Sequence, residues 1–188
     1  MQTQDLPSAR ERILAAALAL FYSEGIRATG VDKLIAESGV AKLTFYRHFP
    51  SKEALVLAFL ALRHERWMAW FVDALNRHGA RSPRDLRALA AVLAEWCEQE
   101  DFRGCAFINS TAEIAQSVPE ALPLCRAHKA EMMAAIARWL AAGEAPRSLA
   151  AAAALAFDGA IVQAQMAADA KGREAVVRTL RKLLGALS

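Results

Sequence analysis

Apolar residues recur every three or four positions along most of this chain, which is the spacing of one face of an α-helix. The first such segment predicts a helix over residues 8–24. Its buried face carries Ile13, Ala16, Ala17, Leu20 and Phe21. Glycine or proline separates most of the later segments, and glycine commonly ends a helix because it tolerates the left-handed backbone conformation. The pattern therefore predicts an all-α protein.

The same pattern indicates nine or ten helices in total. Two short helices near residues 31–38 and 41–48 pivot on Gly39, and Ser51 opens a long helix that extends to about residue 78. At 1.5 Å per residue the long helix spans about 40 Å, enough to join two modules. The remaining helices are predicted at 82–100, starting at Ser82-Pro83-Arg84-Asp85, and at 105–117, 120–142, 147–170 and 173–187, with Lys171-Gly172 separating the last two.

Composition agrees with this fold class. The chain has 188 residues, is 55% hydrophobic and contains only 9 Gly and 6 Pro, which excludes a disordered or collagen-like protein. Three cysteines, Cys97, Cys105 and Cys125, form no CxxC pair, so they predict a reducing, cytoplasmic compartment rather than disulfides or a zinc site. The apolar runs fall short of the ~20 residues that cross a bilayer, so no membrane partner is expected.

Two short helices joined by a glycine turn are the arrangement of a DNA-binding helix-turn-helix. In the second helix Phe45 and Phe49 are spaced i, i+4 and can both face inward. The opposite side then presents Lys42, Leu43, Thr44, Tyr46, Arg47 and His48. Core packing does not require this set. The net charge of +3 indicates no polyanion partner by itself, but residues 41–52 hold three positive side chains and no acid.

Each exposed position has a chemistry that suits double-stranded DNA. Lys42 can donate to guanine, Leu43 can contact a thymine methyl group, and Thr44 can bond a base edge or a phosphate. Tyr46, His48 and Lys52 can donate to phosphate oxygens. Thr29, which caps the first helix of the pair, is a further candidate for a phosphate contact.

A sequence motif carries a family resemblance. It consists of Gly30-Val31, Ile35-Ala36, Gly39-Val40-Ala41, the run Phe45-Tyr46-Arg47-His48-Phe49-Pro50-Ser51-Lys52-Glu53, and Leu55. With its flanks, over residues 10–55, it resembles the signature of the TetR family of bacterial transcriptional regulators. The resemblance implies a three-helix DNA-binding domain followed by a larger helical domain that binds a small effector and dimerises through its last two helices. It also implies base reading by Lys42, Leu43 and Thr44, and phosphate contacts by Tyr46, His48 and Lys52.

We therefore expect a DNA-binding domain over residues 1–52 and a helical ligand-binding and dimerisation domain over residues 53–188. Asn109 and Glu113, one helical turn apart, are the best polar candidates for an effector pocket. The full predicted lining is Trp67, Phe71, Trp96, Phe107, Asn109, Glu113, His128 and Gln165. The alternative is that the aromatic residues are ordinary core and that the polar ones cap helices or meet solvent.

The last two helices predict a twofold four-helix interface. Val176, Leu180, Leu183 and Leu187 follow an i, i+4, i+7, i+11 stripe, and the preceding helix offers Ala153, Phe157 and Ala160. Burial of both faces within one chain is the alternative. Twofold pairing on a pseudo-palindromic site is the usual way to give a helix-turn-helix its specificity, which favours a homodimer.

The sequence thus predicts a ligand-responsive transcriptional regulator, a repressor that binds a palindromic operator as a dimer and is released by an effector. Two alternatives stay open: a helical ligand-binding or interaction module without operator binding, and a redox-responsive regulator that uses Cys97 and Cys105. The absence of GxGxxG, Walker, HExxH and GxSxG motifs argues against an enzyme. His64, Glu113 and His128 lack tight metal-ligand spacing, so neither a metal nor a cofactor is predicted.

Overall fold

The computed structural model describes residues 7–80, 82, 84–140 and 147–187. Within these ranges the chain forms nine α-helices and no strand, as the apolar pattern predicts. They are α1 (Ala9–Glu24), α2 (Val31–Ser38), α3 (Lys42–His48), α4 (Lys52–Gly79), α5 (Ala88–Cys97), α6 (Ala106–Ile114), α7 (Ala121–Leu140), α8 (Arg147–Met166) and α9 (Ala170–Leu187). The prediction of an all-α chain is confirmed.

The start of α1 shows how local chemistry fixes a helix boundary. Ser8 is the N-cap, and its hydroxyl oxygen accepts a hydrogen bond from the backbone N–H of Glu11 at 3.3 Å. The Glu11 carboxylate in turn accepts from the backbone N–H of Ser8 at 2.8 Å, which completes a capping box. The Ser8 hydroxyl also donates to this carboxylate at 2.7 Å, and the hydrogen bonds from the Ser8 hydroxyl and backbone hold the pKa of Glu11 below its ordinary value. The predicted inner face of this helix is buried.

The predicted start at Ser82 is wrong, since α5 begins only at Ala88. Arg84 adopts a φ of 71°, the left-handed conformation, which a helix interior excludes. The Asp85 carboxylate then orders the turn that precedes α5, because it accepts from the backbone N–H of Arg87, the N-cap residue, at 2.9 Å. Pro83 lies outside the described residues.

The boundary between the last two helices also differs from the prediction. The Asp169 carboxylate accepts from the backbone N–H of Gly172 at 2.8 Å, and the Asp169 carbonyl accepts from the N–H of Arg173 at 3.2 Å. Asp169 therefore caps α9, and Gly172 lies within its first turn rather than between helices. The observed break lies a few residues before the predicted one at Lys171-Gly172, since α8 ends at Met166 and α9 begins at Ala170.

The chain divides into two compact units. The first comprises Met1–His64 and Ala106–Cys125, and the second comprises Glu65–Cys105 and Arg126–Ser188. These packing units differ from the predicted domains 1–52 and 53–188, because α6 and the first part of α4 belong to the unit that contains α1 to α3. The functional boundary at residue 52 stays a prediction.

Aromatic side chains form the centre of the second unit. Trp67 stacks on Phe71 with a centroid separation of 4.8 Å, and its ring lies 5.4 Å from that of Trp96. Phe71 contacts Phe157 of α8 at 5.8 Å. These buried rings join α4, α5 and α8 into one core.

Helix α8 is longer than its alanine run indicates, because it continues through Asp158 to Met166. With 20 residues and a mean hydropathy of 1.4, it is the one described helix that is long and apolar enough to cross a bilayer by these measures. Within the second unit Ala153 and Phe157 are fully buried, and Asp158 forms a 2.7 Å ion pair with Lys129 of α7. One side of the helix is therefore occupied by protein contacts.

Candidate nucleic-acid interface

A small hydrophobic core orients the helix-turn-helix. Leu34 of α2 and Phe45 of α3 are fully buried, and Phe49 is nearly so. Phe45 lies 6.4 Å from Phe49 between ring centroids, and Phe21 of α1 meets Phe59 of α4 edge-on at 5.3 Å. With Phe45 and Phe49 directed inward, the opposite side of α3 faces outward, as the i, i+4 spacing predicts.

The turn between α2 and α3 depends on glycine. Gly39 has φ 61° and ψ 31°, and its N–H donates to the Ala36 carbonyl at 3.3 Å, which ends α2. The Arg12 guanidinium of α1 donates to the Gly39 carbonyl at 3.3 Å. Sequence reasoning missed this role of Arg12, because the two residues are 27 positions apart and no local motif indicates the contact.

The outer side of α3 is a row of exposed side chains. Leu43 is 73% exposed, and Tyr46, Arg47 and His48 are also exposed, while Thr44 is half-buried. An exposed leucine in the first turn of a seven-residue helix has no role in the core of this unit. The row therefore offers one apolar contact among hydrogen-bond donors, a combination suited to a major groove.

Lys42 opens this row. Its ammonium lies 3.6 Å from a carboxylate oxygen of Asp32 on α2, and both side chains are mostly exposed. Exposed pairs of this kind contribute about 0–1 kcal/mol, so a phosphate or a guanine can replace Asp32 at little cost. Asp32 therefore keeps the Lys42 ammonium close to α2, while the side chain stays exposed and accessible to DNA.

Thr29 is a correction to the predicted interface. It is fully buried, and its hydroxyl donates to the Gly25 carbonyl at 2.7 Å. A phosphate cannot reach this hydroxyl in the observed arrangement. Thr29 holds the loop that precedes α2, and we leave it out of the proposed DNA contacts.

Lys52 is half-buried at the start of α4. Burial lowers the pKa of its ammonium, while the carboxylates of Glu113 and Glu53 act in the opposite direction. Lys52 also lines a cleft of about 260 Å³ together with Arg27 and Ile114. Its predicted phosphate contact therefore involves a partly shielded cation rather than a freely solvated one.

The comparisons with known proteins agree with this geometry. The family described as bacterial regulatory proteins, tetR family, matches residues 13–59. A solved tetr-transcriptional regulator (sav143) from Streptomyces avermitilis is 30% identical, over 96% of this chain and 98% of that one, with a TM-score of 0.76. The chain belongs to the TetR family.

Two further similarities extend the comparison. SCO4454, a TetR-family transcriptional regulator from Streptomyces coelicolor, is 29% identical over 97% of this chain and 92% of that chain, with a TM-score of 0.82. The HTH-type transcriptional regulator YerO of Bacillus subtilis (strain 168) is 43% identical over 49 residues, which are 26% of this chain but only 17% of YerO. Membership of the TetR family places the chain among DNA-binding transcription factors rather than enzymes.

The TetR-type DNA-binding region is tied to α6 by Glu113. Its carboxylate accepts hydrogen bonds from the backbone N–H groups of Ile26, at 3.1 Å, and Arg27, at 2.5 Å. A Cβ atom on Gly25, which has φ 92°, would lie 3.0 Å from the same carboxylate. Glu113, predicted as a pocket residue, therefore holds the loop between α1 and α2 instead.

The other predicted pocket residues fall into two groups. Phe107 and Asn109 lie with Glu113 in the first unit, where Phe107 meets His64 edge-on at 6.4 Å. Trp67, Phe71, Trp96, His128 and Gln165 lie in the second unit.

Within the second unit four of these residues are buried together. The His128 ring lies 5.0 Å from that of Trp67, inside the aromatic core. The Nε1 atom of Trp67 is buried, and no residue that the structure describes accepts its hydrogen bond. Gln165 instead packs over Gly104, which has φ 75°, so closely that no Cβ would fit there. Gln165 is an exposed residue near the end of α8 rather than part of the core lining.

The predicted dimer surface also needs revision. Four of its residues are buried within the second unit: Ala153, Phe157, Ala160 and Leu180. They are core residues, because their faces already contact the same chain. Of the remaining three, Leu183 is 49% exposed and Val176 and Leu187 are half-buried.

Sequence reasoning missed two exposed apolar residues on α8. Leu155 is 75% exposed and Met166 is 73% exposed. Between them Gly159 is exposed, and a Cβ added there would meet open space. The alanine run obscured this outer face, because alanines occupy both sides of the helix.

Neither cysteine of the redox alternative has a reactive environment. Burial raises the pKa of the Cys97 thiol to about 11, and Cys105 is almost fully buried. Because the thiolate is the reactive form, a raised pKa keeps Cys97 protonated and unreactive near pH 7. Across residues 7–80, 82, 84–140 and 147–187, no group of three His, Cys, Asp or Glu side chains could hold a metal ion.

Proposed function

We propose that this chain is a homodimeric, cytoplasmic transcriptional repressor that binds a palindromic operator and leaves it when a small-molecule effector binds. One observation carries the proposal. The outer side of α3 presents exposed Leu43, Tyr46, Arg47 and His48, none of which the core of the unit requires. Membership of the TetR family supports the same conclusion.

Lys42, Leu43 and Thr44 would read base edges in this arrangement, because they lie in the first turn of α3, the part of a recognition helix that enters the major groove. Tyr46, Arg47, His48 and Lys52 would bind phosphates and so fix the position of the helix. The first group gives sequence specificity, and the second gives affinity that depends on salt concentration.

The homodimer would form through the outer faces of α8 and α9. Leu155 and Met166 of α8 and Leu183 of α9 are large apolar side chains left exposed in the single chain, with Val176 and Leu187 beside them. Exposed apolar surface of this kind is typical of protein interfaces. An isologous contact between two copies would bring two α3 helices to the two halves of a palindrome.

The effector is supported by the buried Nε1–H group of Trp67, which finds no acceptor among the described residues. A ligand with an acceptor atom and an apolar body would satisfy this donor within the aromatic core. Effector binding would favour a conformer in which α4 tilts and changes the separation of the two α3 helices. Such a population shift requires that the ligand prefer one conformer over the other.

A footprint on the DNA upstream of the chain's own gene tests this proposal. We expect a protected region with twofold symmetry. A protein that binds small ligands but protects no DNA would instead be the ligand-binding module of the alternative hypothesis.

A further inference from the structure

An open cleft of about 510 Å³ lies between the end of α5 and α9, within the second unit. Ala94 and Val177 give it an apolar floor. Three guanidinium groups stand around this floor, those of Arg173, Arg178 and Arg181. The volume lies within the range of about 300–1,000 Å³ that is usual for small-molecule sites.

The charges of the cleft do not cancel within the chain. Arg178 lies 3.6 Å from Glu174, and both side chains are largely exposed. Glu98 is the other acid of the lining. Arg173 and Arg181 form no ion pair with any residue that the structure describes, so two cations face one remaining carboxylate.

Asp85 is only a secondary partner of Arg181, whose charge is the smallest of the causes that lower the pKa of Asp85. The Asp85 carboxylate is bound by Arg87 at 2.8 Å, and hydrogen bonds from Arg87 are the main reason that the pKa of Asp85 is lowered. The guanidinium of Arg181 therefore remains available for an anion from solution.

We propose that this cleft binds an organic anion with an apolar body, its carboxylate or sulfonate group bound by one of the guanidinium groups of Arg173 and Arg181, which flank Val177 two helical turns apart, and its apolar part lying on Ala94 and Val177. Guanidinium groups suit such acids because their planar N–H groups match two oxygens of the anion. The site is separate from the α3 surface and from the exposed leucine of α9, since Leu183 lies on a different side of the helix from Arg173, Val177 and Arg181. It does not depend on DNA binding.

Cys97 provides a position-specific reporter. Its side chain lines the cleft and is partly exposed, whereas Cys105 and Cys125 are buried. Alkylation of the folded protein should therefore be confined to Cys97, and it is followed with iodoacetamide at about pH 9, where the raised pKa still leaves a small fraction of thiolate. A molecule seated in the cleft would slow this reaction.

A pair of fluorescent probes tests the proposal directly. 1-Anilinonaphthalene-8-sulfonate carries an apolar body and a sulfonate, and N-phenyl-1-naphthylamine has the same body without the charge. The Arg173→Gln/Arg181→Gln variant is compared with the Lys171→Gln/Lys182→Gln variant, which removes the same charge from α9 outside the cleft lining. We expect the arginine variant to bind the sulfonate probe at least about tenfold more weakly, with unchanged binding of the neutral probe.

The sulfonate probe should also slow alkylation of Cys97 in the wild type and in the lysine variant, but not in the arginine variant. Because the arginines are on the surface, far-ultraviolet circular dichroism should show the same fold for all proteins. Equal sulfonate affinity in both variants, or no protection of Cys97 at saturating probe, would overturn the proposal.

Discussion

Glu113 of α6 accepts a 2.5 Å hydrogen bond from the backbone N–H of Arg27, although 86 residues separate them. The same carboxylate accepts from Ile26 at 3.1 Å. Because Ile26 and Arg27 precede α2, the carboxylate joins α6 to the helix-turn-helix within one compact unit. A displacement of α6 would therefore alter the loop on which α2 begins.

Glu113→Ala should destabilise the protein by about 1 kcal/mol, because two backbone N–H groups lose their acceptor. Urea denaturation followed by circular dichroism measures the change in the free energy of unfolding. Glu120→Ala, an exposed acid in the same unit, serves as the control. If both variants unfold at the same urea concentration, Glu113 does not stabilise the loop.

Glu95 should make part of the stability depend on pH. It accepts a bidentate pair of hydrogen bonds from Arg77, at 2.8 and 2.9 Å, and another from Trp70 at 3.0 Å. Its carboxylate also lies 2.7 Å from the His78 ring. The hydrogen bonds from Arg77 are the main reason that the pKa of Glu95 falls from 4.5 to about 2.

Because the folded pKa lies below the ordinary one, the contribution of Glu95 is fully present above about pH 4.5 and is lost as the pH falls towards 2. The melting temperature, measured at several values between pH 6 and pH 3, should therefore decline less steeply in Glu95→Gln than in the wild type. If the melting temperatures of the two proteins fall in parallel as the pH is lowered, ionised Glu95 does not contribute to the stability of the folded protein.

The exposed apolar surface of α8 and α9 predicts a specific monomeric variant. Leu183→Glu places a charge on this surface and should shift the mass measured by analytical ultracentrifugation from dimer to monomer. Leu43→Glu is the matched control, since Leu43 is also an exposed leucine but lies on α3. It should stay dimeric and lose DNA binding. A dimeric Leu183→Glu protein would place the interface elsewhere.

Lys42 and Thr44 should determine which operator sequence is preferred. Removing a side chain that donates to a base edge costs about 1–3 kcal/mol of discrimination at that base pair, while the phosphate contacts remain. Selection of bound duplexes from a randomised library compares Lys42→Ala and Thr44→Ala with the wild type. Selected sequences that are identical for all three proteins would exclude base reading by these two residues.

The helices of the first unit could be predicted because their boundaries depend on nearby residues. Ser8, Gly25 and Gly39 act within a few positions of the helix ends that they define. The starts of α5 and α9 could not be placed in this way. Asp85 orders a turn that delays the start of α5 beyond Ser82, and Asp169 caps α9 before Gly172. Which polar residue near a helix start is used in this way depends on the surrounding tertiary structure.

The candidate site likewise contains residues whose exposure local spacing predicts and residues whose role only the fold determines. The exposure of Leu43 and Tyr46 follows from the i, i+4 spacing of Phe45 and Phe49 alone. The burial of Thr29 and the loop contact of Glu113 depend on residues brought together by the fold, which local spacing cannot indicate. Burial of the predicted α8 residues Ala153, Phe157 and Ala160 could not be predicted for a related reason, since a helix rich in small residues gives no contrast between its inner and outer faces.

A titration of labelled duplex, carrying the palindrome upstream of the chain's own gene, tests the central claim most directly. The wild type is compared with the Tyr46→Ala/Lys52→Ala variant in a gel-shift assay at several salt concentrations. Loss of two phosphate contacts should weaken binding to every duplex and lower the slope of log affinity against log salt, by about one for the charge of Lys52. Equal retention of the duplex by wild type and variant, with equal salt slopes, would contradict the assignment of α3 and the start of α4 as the DNA-binding surface.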